Sequence, residues 1–444
     1  MLSSSHQTKH VGGSSRCRLW FLCLLPGLLV AGCGSPNRAA DTLIVWHPWG
    51  GTMRDRFDRT LRAFEESHPG VKVRGVFTSN DLATNQKFFT AVAAGRPPDI
   101  TFVDGPQVAE WAERGALTAL DQRLRAAGIA EADFYGPCWR QNHYRDHVWA
   151  LTFCADPNFG FVWNKQVFRD VGLDPEKPPT TIAELDAYSD RITRIEGGKM
   201  VRIGIIPWGI YGSANSMFTW GWAFGGEFYD YDKQRITADN PQVVEALQWM
   251  TSYAEKYDAT RIASLQAGFG TAEHNPFYVG QLGMTCLHIG GIEEIKLYAP
   301  NLDFGIGYIP APPDGEPHSS WVGGWCVAIP KGSPHPQQAW EFARWVCADP
   351  EGTAVVGRET GLFPGYRPSP YFAEVRDKPY YGVFLKILEE CRHQRPVMPA
   401  QGYYMGALER AVGAAVYGEA TPEQALREAR ELTQFELDEA LLGT

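Results

Sequence analysis

A chain of 444 residues, 44% hydrophobic and 21% charged, is too long for one small core, and two domains are the default at that length. Its 41 lysines and arginines stand against 51 acids, a formal net charge of −10, which argues against a broad basic surface for nucleic-acid phosphates. The 46 glycines and 31 prolines are dispersed without a repeat period, so collagen and solenoid architectures drop out, and the 15 Trp, 18 Tyr and 23 Phe stand out.

The only long apolar run, Leu19 to Ala31, follows Lys9, Arg16 and Arg18, with no acid before Asp41. That is a signal-peptide layout. The run falls short of the roughly 20 apolar residues a membrane span needs and is broken by Pro26 and Gly27, so a transmembrane anchor is not expected. It ends in Val30-Ala31-Gly32-Cys33, which resembles the bacterial lipobox. The resemblance implies a lipoprotein signal over 1–32, lipid on Cys33 and a polar tether over 33–40. Acyl chains anchor by about 0.8 kcal/mol per buried methylene. Six cysteines then remain, at 138, 154, 286, 326, 347 and 391. Export permits disulfides, and the short separation favours Cys138 with Cys154, while no spacing fits zinc.

Thr42 to Trp46 is a short apolar strand. Met53, Phe57, Leu61 and Phe64 recur at helical spacing until His68-Pro69-Gly70 stops them. Val71, Val73 and Val76 mark a second strand, Leu82 to Ala94 a second helix, and Ile100 to Val103 a third strand before Val108 to Gly115. This βαβαβα order implies a mostly parallel sheet, whose ligands lie beyond the strand carboxyl ends. These ends are Trp46 to Gly51, Thr78 to Asn80 and Asp104-Gly105. A second α/β block begins near Leu151, with a strand over Phe159 to Trp163 and helices over Lys165 to Val171 and Ile182 to Ile195. Gln338 to Cys347 is a late amphipathic helix, and Thr421-Pro422-Glu423-Gln424 reads as a cap for Ala425 to Leu441.

Four segments resemble the family 1 extracellular solute-binding proteins of bacterial ABC transporters. They are Gly95-Arg-Pro-Pro-Asp-Ile100, Val162-Trp-Asn-Lys-Gln-Val-Phe168 with Pro179-Thr180-Thr181, Gly323-Gly-Trp-Cys-Val-Ala-Ile-Pro330 with Ala339-Trp-Glu-Phe342, and Thr421-Pro-Glu-Gln-Ala-Leu426. The resemblance implies a type II fold of two α/β lobes, each a mostly parallel sheet flanked by helices. Crossovers are expected near Ala150 to Phe153, Ile309 to Pro313 and Glu359 to Phe363, so that lobe I holds 41–151 and 313–359 and lobe II holds 152–312 and 360–444. It further implies a monomer outside the cytoplasm, held to the membrane by lipid, which closes over a solute by hinge motion and delivers it to permease subunits.

A sugar presents C–H faces and hydroxyls, which call for flat aromatic rings and groups that donate and accept. Trp46, Trp49 and Asp104 sit at strand ends, and Asp156 and Asn158 follow the first crossover. Trp208, Trp220, Trp222, Gly290, Trp321, Gly324 and Trp325 lie in aromatic–glycine segments that the family uses at its cleft. These twelve form the expected ligand set. Asp104 is alternatively a helix N-cap and Asp156 a turn former, while any single Trp is as readily a core residue. A glycosidase also carries two carboxylates, but no nucleophile elbow, zincin, phosphate-loop or dinucleotide motif occurs, and no cofactor or metal is expected. Binders of glycerol phosphate or another polyol, polyamine binders and a sugar-sensing lipoprotein are the alternatives.

Overall fold

The computed structural model describes residues 42–79, 82–269 and 274–442, with the side chains of 82–84 left aside. The expected signal peptide, Cys33 and tether lie outside the described residues. From Asp41 onward the chain is one compact unit. In chain order it begins with β1 (Thr42–His47), α1 (Gly51–Ser67), β2 (Lys72–Phe77), α2 (Leu82–Ala93), β3 (Ile100–Asp104), α3 (Val108–Glu113) and α4 (Gly136–Gln141). The crossing region follows with β4 (Ala150–Thr152), β5 (Asp156–Asn158) and β6 (Gly160–Asn164), then α5 (Ile182–Ile192), α6 (Ser213–Ala223) and α7 (Pro241–Tyr257). The remainder comprises β7 (Met284–Leu287), α8 (Gly291–Tyr298), β8 (Phe304–Gly307), β9 (Trp321–Gly323), β10 (Trp325–Ala328), α9 (Pro336–Ala348), α10 (Pro350–Thr360), β11 (His393–Gln394), α11 (Gln401–Val416) and α12 (Pro422–Leu442).

The apolar spacing of α1 does what its period requires: Phe57, Leu61 and Phe64 are buried against the first sheet, each contributing about 2 kcal/mol. That sheet runs β2-β1-β3-β10-β4, with β1, β2 and β3 parallel and β10 antiparallel to both β3 and β4. In the second sheet β6 is flanked by β7 and β8, and both pairings are antiparallel, where a mostly parallel sheet was expected. The cause is that β6 leaves the crossing region while both partners run back toward it. Two chain passes link the sheets. β4 and β5 run antiparallel to β10 and β9, pairing Asp156 with Gly323 on one side and Thr152 with Cys326 on the other. A third segment joins them where the Ala155 N–H donates to the Phe363 carbonyl (2.7 Å).

Gly324 sits between β9 and β10 at φ +125°, and a Cβ there would stand 2.1 Å from the Cys154 carbonyl oxygen. Only glycine permits that approach. The expected Cys138–Cys154 disulfide is absent, since all six described cysteines are buried thiols. The Cys154 sulfur instead accepts the Trp325 N–H at 3.3 Å. The expected cap at Thr421 is present as a reciprocal pair, with the Gln424 N–H to Thr421 Oγ1 (3.3 Å) and the Thr421 N–H to Gln424 Oε1 (3.2 Å).

Candidate functional site

The carboxyl ends of β1, β2 and β3 carry Trp46, Thr78, Ser79 and Asp104. In the ladder Asp104 lies opposite Trp325, the first residue of β10. Trp46 and Trp325 are half-buried and border one niche with Thr78 and Ser79. Lys87 lies 5.3 Å over the Trp46 ring. Phe77, at the end of β2, is 48% exposed. This is the first lobe's wall.

Asp104 makes no helix cap. Both its carboxylate oxygens accept from Arg395 Nη2, at 2.6 and 2.8 Å, and that guanidinium lies 5.3 Å over the Trp321 ring. Both charged side chains are largely removed from water. The Trp321 indole N–H is taken by Thr219 Oγ1 (3.1 Å). Trp321 also meets Phe159 edge-on at 5.6 Å, and Phe159 stacks at 5.1 Å on Tyr211. Tyr211 in turn contacts His288, whose Nδ1 accepts the Gly290 N–H (3.1 Å) and stands 3.5 Å from Asp156 Oδ2. Asp156 also accepts the Ile289 N–H (3.2 Å). One continuous line of contacts therefore runs from Asp104 across both crossing strands to Asp156.

Tyr211 is the ring that sequence reasoning missed, three residues beyond Trp208. It is 44% exposed, yet desolvation pushes its hydroxyl pKa well up, with Glu294 and Asp156 adding to the effect. Its backbone at φ +49° is a left-handed conformation that a non-glycine residue takes only when held there. Desolvation also raises the Asp156 pKa, against the opposing pull of His288 and the Ile289 N–H.

Other expected residues fall elsewhere. Trp49 is 8% exposed among Phe57, Phe102 and Phe153, and Trp220 is wholly buried, its indole bonded to the Pro207 carbonyl and its ring against Trp249. Both are core residues: Trp49, in the loop after β1, turns inward onto α1 and β3, and Trp220 sits on the inward face of α6. Trp208 is half-buried against the core. Asn158 is buried in β5 opposite Trp321. Trp222 stacks on His393 at 5.0 Å and faces a different, larger cavity.

The amino end of α11 adds polar groups without a sequence signal. The Gly402 N–H donates to the Glu110 carboxylate of α3, whose pKa desolvation raises despite Arg114. Gln401 is 1% exposed with neither amide atom paired, and Gln107 Oε1 and Arg395 Nε are likewise buried without a partner. Because α11 packs on α6, α7 and α12, its Gly402 contact with Glu110 of α3 and the Arg395–Asp104 pair just before it draw the two walls together.

Two sheets joined by crossing strands, with facing walls of rings, amides and compensated charge, define a two-lobed binding protein. The chain belongs to the bacterial extracellular solute-binding proteins, whose family model matches residues 50–352; proteins of this family work outside the cytoplasm. The solved structure of CpMnBP1 with mannotriose bound is similar at a TM-score of 0.80 and 29% identity, covering 88% of this chain and 100% of that one. A mannitol-binding protein of Pseudomonas aeruginosa is 25% identical over 407 residues, 87% of this chain and 91% of that protein. The sn-glycerol-3-phosphate-binding periplasmic protein UgpB of Escherichia coli is 22% identical over 340 residues, 74% of this chain and 75% of that protein.

Proposed function

We propose that the chain binds a neutral mono- or oligosaccharide between its lobes and hands it to the permease subunits of an ABC transporter. The observation that carries this reading is the Asp104–Arg395 pair. It neutralises both the carboxylate a polyamine would need and the guanidinium a phosphate would need, leaving a wall of rings and amides suited to hydroxyls and C–H faces. The saccharides held by CpMnBP1 support the same class, and the mannitol-binding relative supports a neutral, hydroxyl-rich solute. Trp46, Asp104, Asp156, Tyr211, Gly290, Trp321 and Trp325 shape the site, with Gln107 and Gln401 supplying donors and acceptors. We place the second crossing at Gly323 to Trp325, not at Ile309 to Pro313, because the pairing of β9 with β5 and of β10 with β4 runs through it. No chemical step is assigned to the site.

Calorimetric titration of the chain from Asp41 with mannobiose, mannitol, glycerol 3-phosphate and spermidine tests the reading. Saturable heat with the saccharide and no product on prolonged incubation is expected; binding of glycerol 3-phosphate or spermidine alone would overturn it. The export signal and lipid on Cys33 belong to the same proposal, and Cys33→Ser is expected to move the protein from the membrane to the soluble fraction.

A further inference from the structure

A cavity of about 970 Å³ shares no lining residue with the niche at the strand ends. It is within the range of small-molecule sites, and it is bounded from the first lobe by α4 and the turn after it and from the second by Trp222 to Gln234 and Arg392 to Pro399. The segment that carries β11 is the partition: Arg395 turns to Asp104 and Trp321, while Arg392, His393 and Gln394 line the cavity.

Three basic side chains at its rim are engaged. Arg140 donates to Gln394 Oε1 (2.9 and 2.7 Å) and to the Arg392 carbonyl (2.7 Å), Arg145 pairs with Glu113 (2.9 Å), and His393 Nε2 lies 2.8 Å from Glu316. Arg392 lies 3.9 Å from the same Glu316 and stays largely exposed at the rim. The rest of the lining is aromatic and hydroxyl-directed. Trp222 is 2% exposed and lines the cavity, and among the described residues neither its indole N–H nor the Tyr229 hydroxyl has a hydrogen-bond partner. The Glu227 carboxylate likewise accepts no hydrogen bond, and desolvation raises its pKa. Tyr231 presents a ring that is 52% exposed.

We propose that this cavity is a second saccharide site, separate from the strand-end cleft, in which the Tyr231 ring contacts a pyranose and the Tyr229 hydroxyl, the edge N–H of Trp222 and the Glu227 carboxylate bind its hydroxyls. The proposal rests on the saccharide reading above. Since both lobes line the cavity, its occupancy and lobe closure are coupled, and the coupling acts equally in both directions.

Hydrogen–deuterium exchange of the chain from Asp41 with mannobiose as the probe tests it. In the wild type, protection is expected in two groups of peptides, one around 46–49, 78–79 and 208–212, the other around 227–234 and 392–399. In Trp46→Ala, where the cleft no longer drives closure, the second group should remain protected. In Tyr231→Ala/Glu227→Gln the second group should lose protection, with the mannobiose concentration needed for half-protection raised at least tenfold, while the first persists. Protection of the second group that vanishes in Trp46→Ala, or protection of the first group alone in the wild type, overturns the second site and leaves the solute reading standing. Absence of protection anywhere in the wild type overturns both.

Discussion

His47 is 1% exposed with neither ring nitrogen paired, and burial lowers its pKa to about 4. The folded state therefore holds the neutral ring, and the unfolded chain takes up a proton first as pH falls. Stability is full above about pH 6.5 and is lost between there and about pH 4, by about 3 kcal/mol in all. Urea unfolding from pH 4 to 8 should show that loss, and His47→Leu should flatten it. A steep acid limb unchanged in the variant would assign the loss to other groups. At the cleft, Tyr211→Ala should leave the melting temperature almost unaltered but weaken saccharide affinity by about 1 to 3 kcal/mol through lost stacking; calorimetry with unchanged affinity would remove Tyr211 from the site.

Among the elements, the crossing strands and the α11 contact concentrate the constraints. Asp104→Ala strands a buried guanidinium, a change that costs about 3 to 5 kcal/mol when one partner of a buried pair is removed. The substitution is therefore expected to act first on stability, and Asp104→Leu/Arg395→Met should recover most of it in chemical denaturation. Gly324→Ala meets the Cys154 carbonyl at a backbone angle that side chains avoid, and melting should fall by more than the roughly 1 kcal/mol of a simple glycine-to-alanine exchange. Two family-like motif residues also hold elements in place. Asp99 accepts from the Ile44 N–H (2.8 Å) and the His335 N–H (3.0 Å), joining β1 to the start of α9. Asn164 accepts the Val167 N–H (3.1 Å) and donates to the Phe277 carbonyl (3.1 Å). Neither touches the cleft.

Across the whole molecule, the closure proposed above would balance contacts made between lobes against those made with solute. The ion pair of Arg56 on α1 with Glu293 on α8, at 3.0 Å, and the Glu110–Gly402 bond tie the two sides together. Glu110→Ala should therefore expand the unliganded molecule, read as a larger radius of gyration in solution scattering, and saccharide should compact it again, since ligand bound by the closed state shifts the population toward it. An unaltered radius would show that this bond does not hold the lobes.

The amino-acid order by itself determined the first βαβαβα unit, the strand-end positions of Trp46 and Asp104, the Thr421 cap and the family, because these depend on periodicity, local capping chemistry and contiguous motifs. It could not tell core tryptophans from wall tryptophans. Trp49 and Trp46 share one segment, and which ring faces inward depends on packing against Phe57, Phe102 and Phe153. Tyr211 and Arg395 carried no local signal, since each meets its partners through elements distant in the chain, and Gln401, buried with neither amide atom paired, carried none either. Only the tertiary structure paired Asp104 with a residue 291 positions away, and that pairing, a matter of geometry between distant elements, sets the charge at the end of β3.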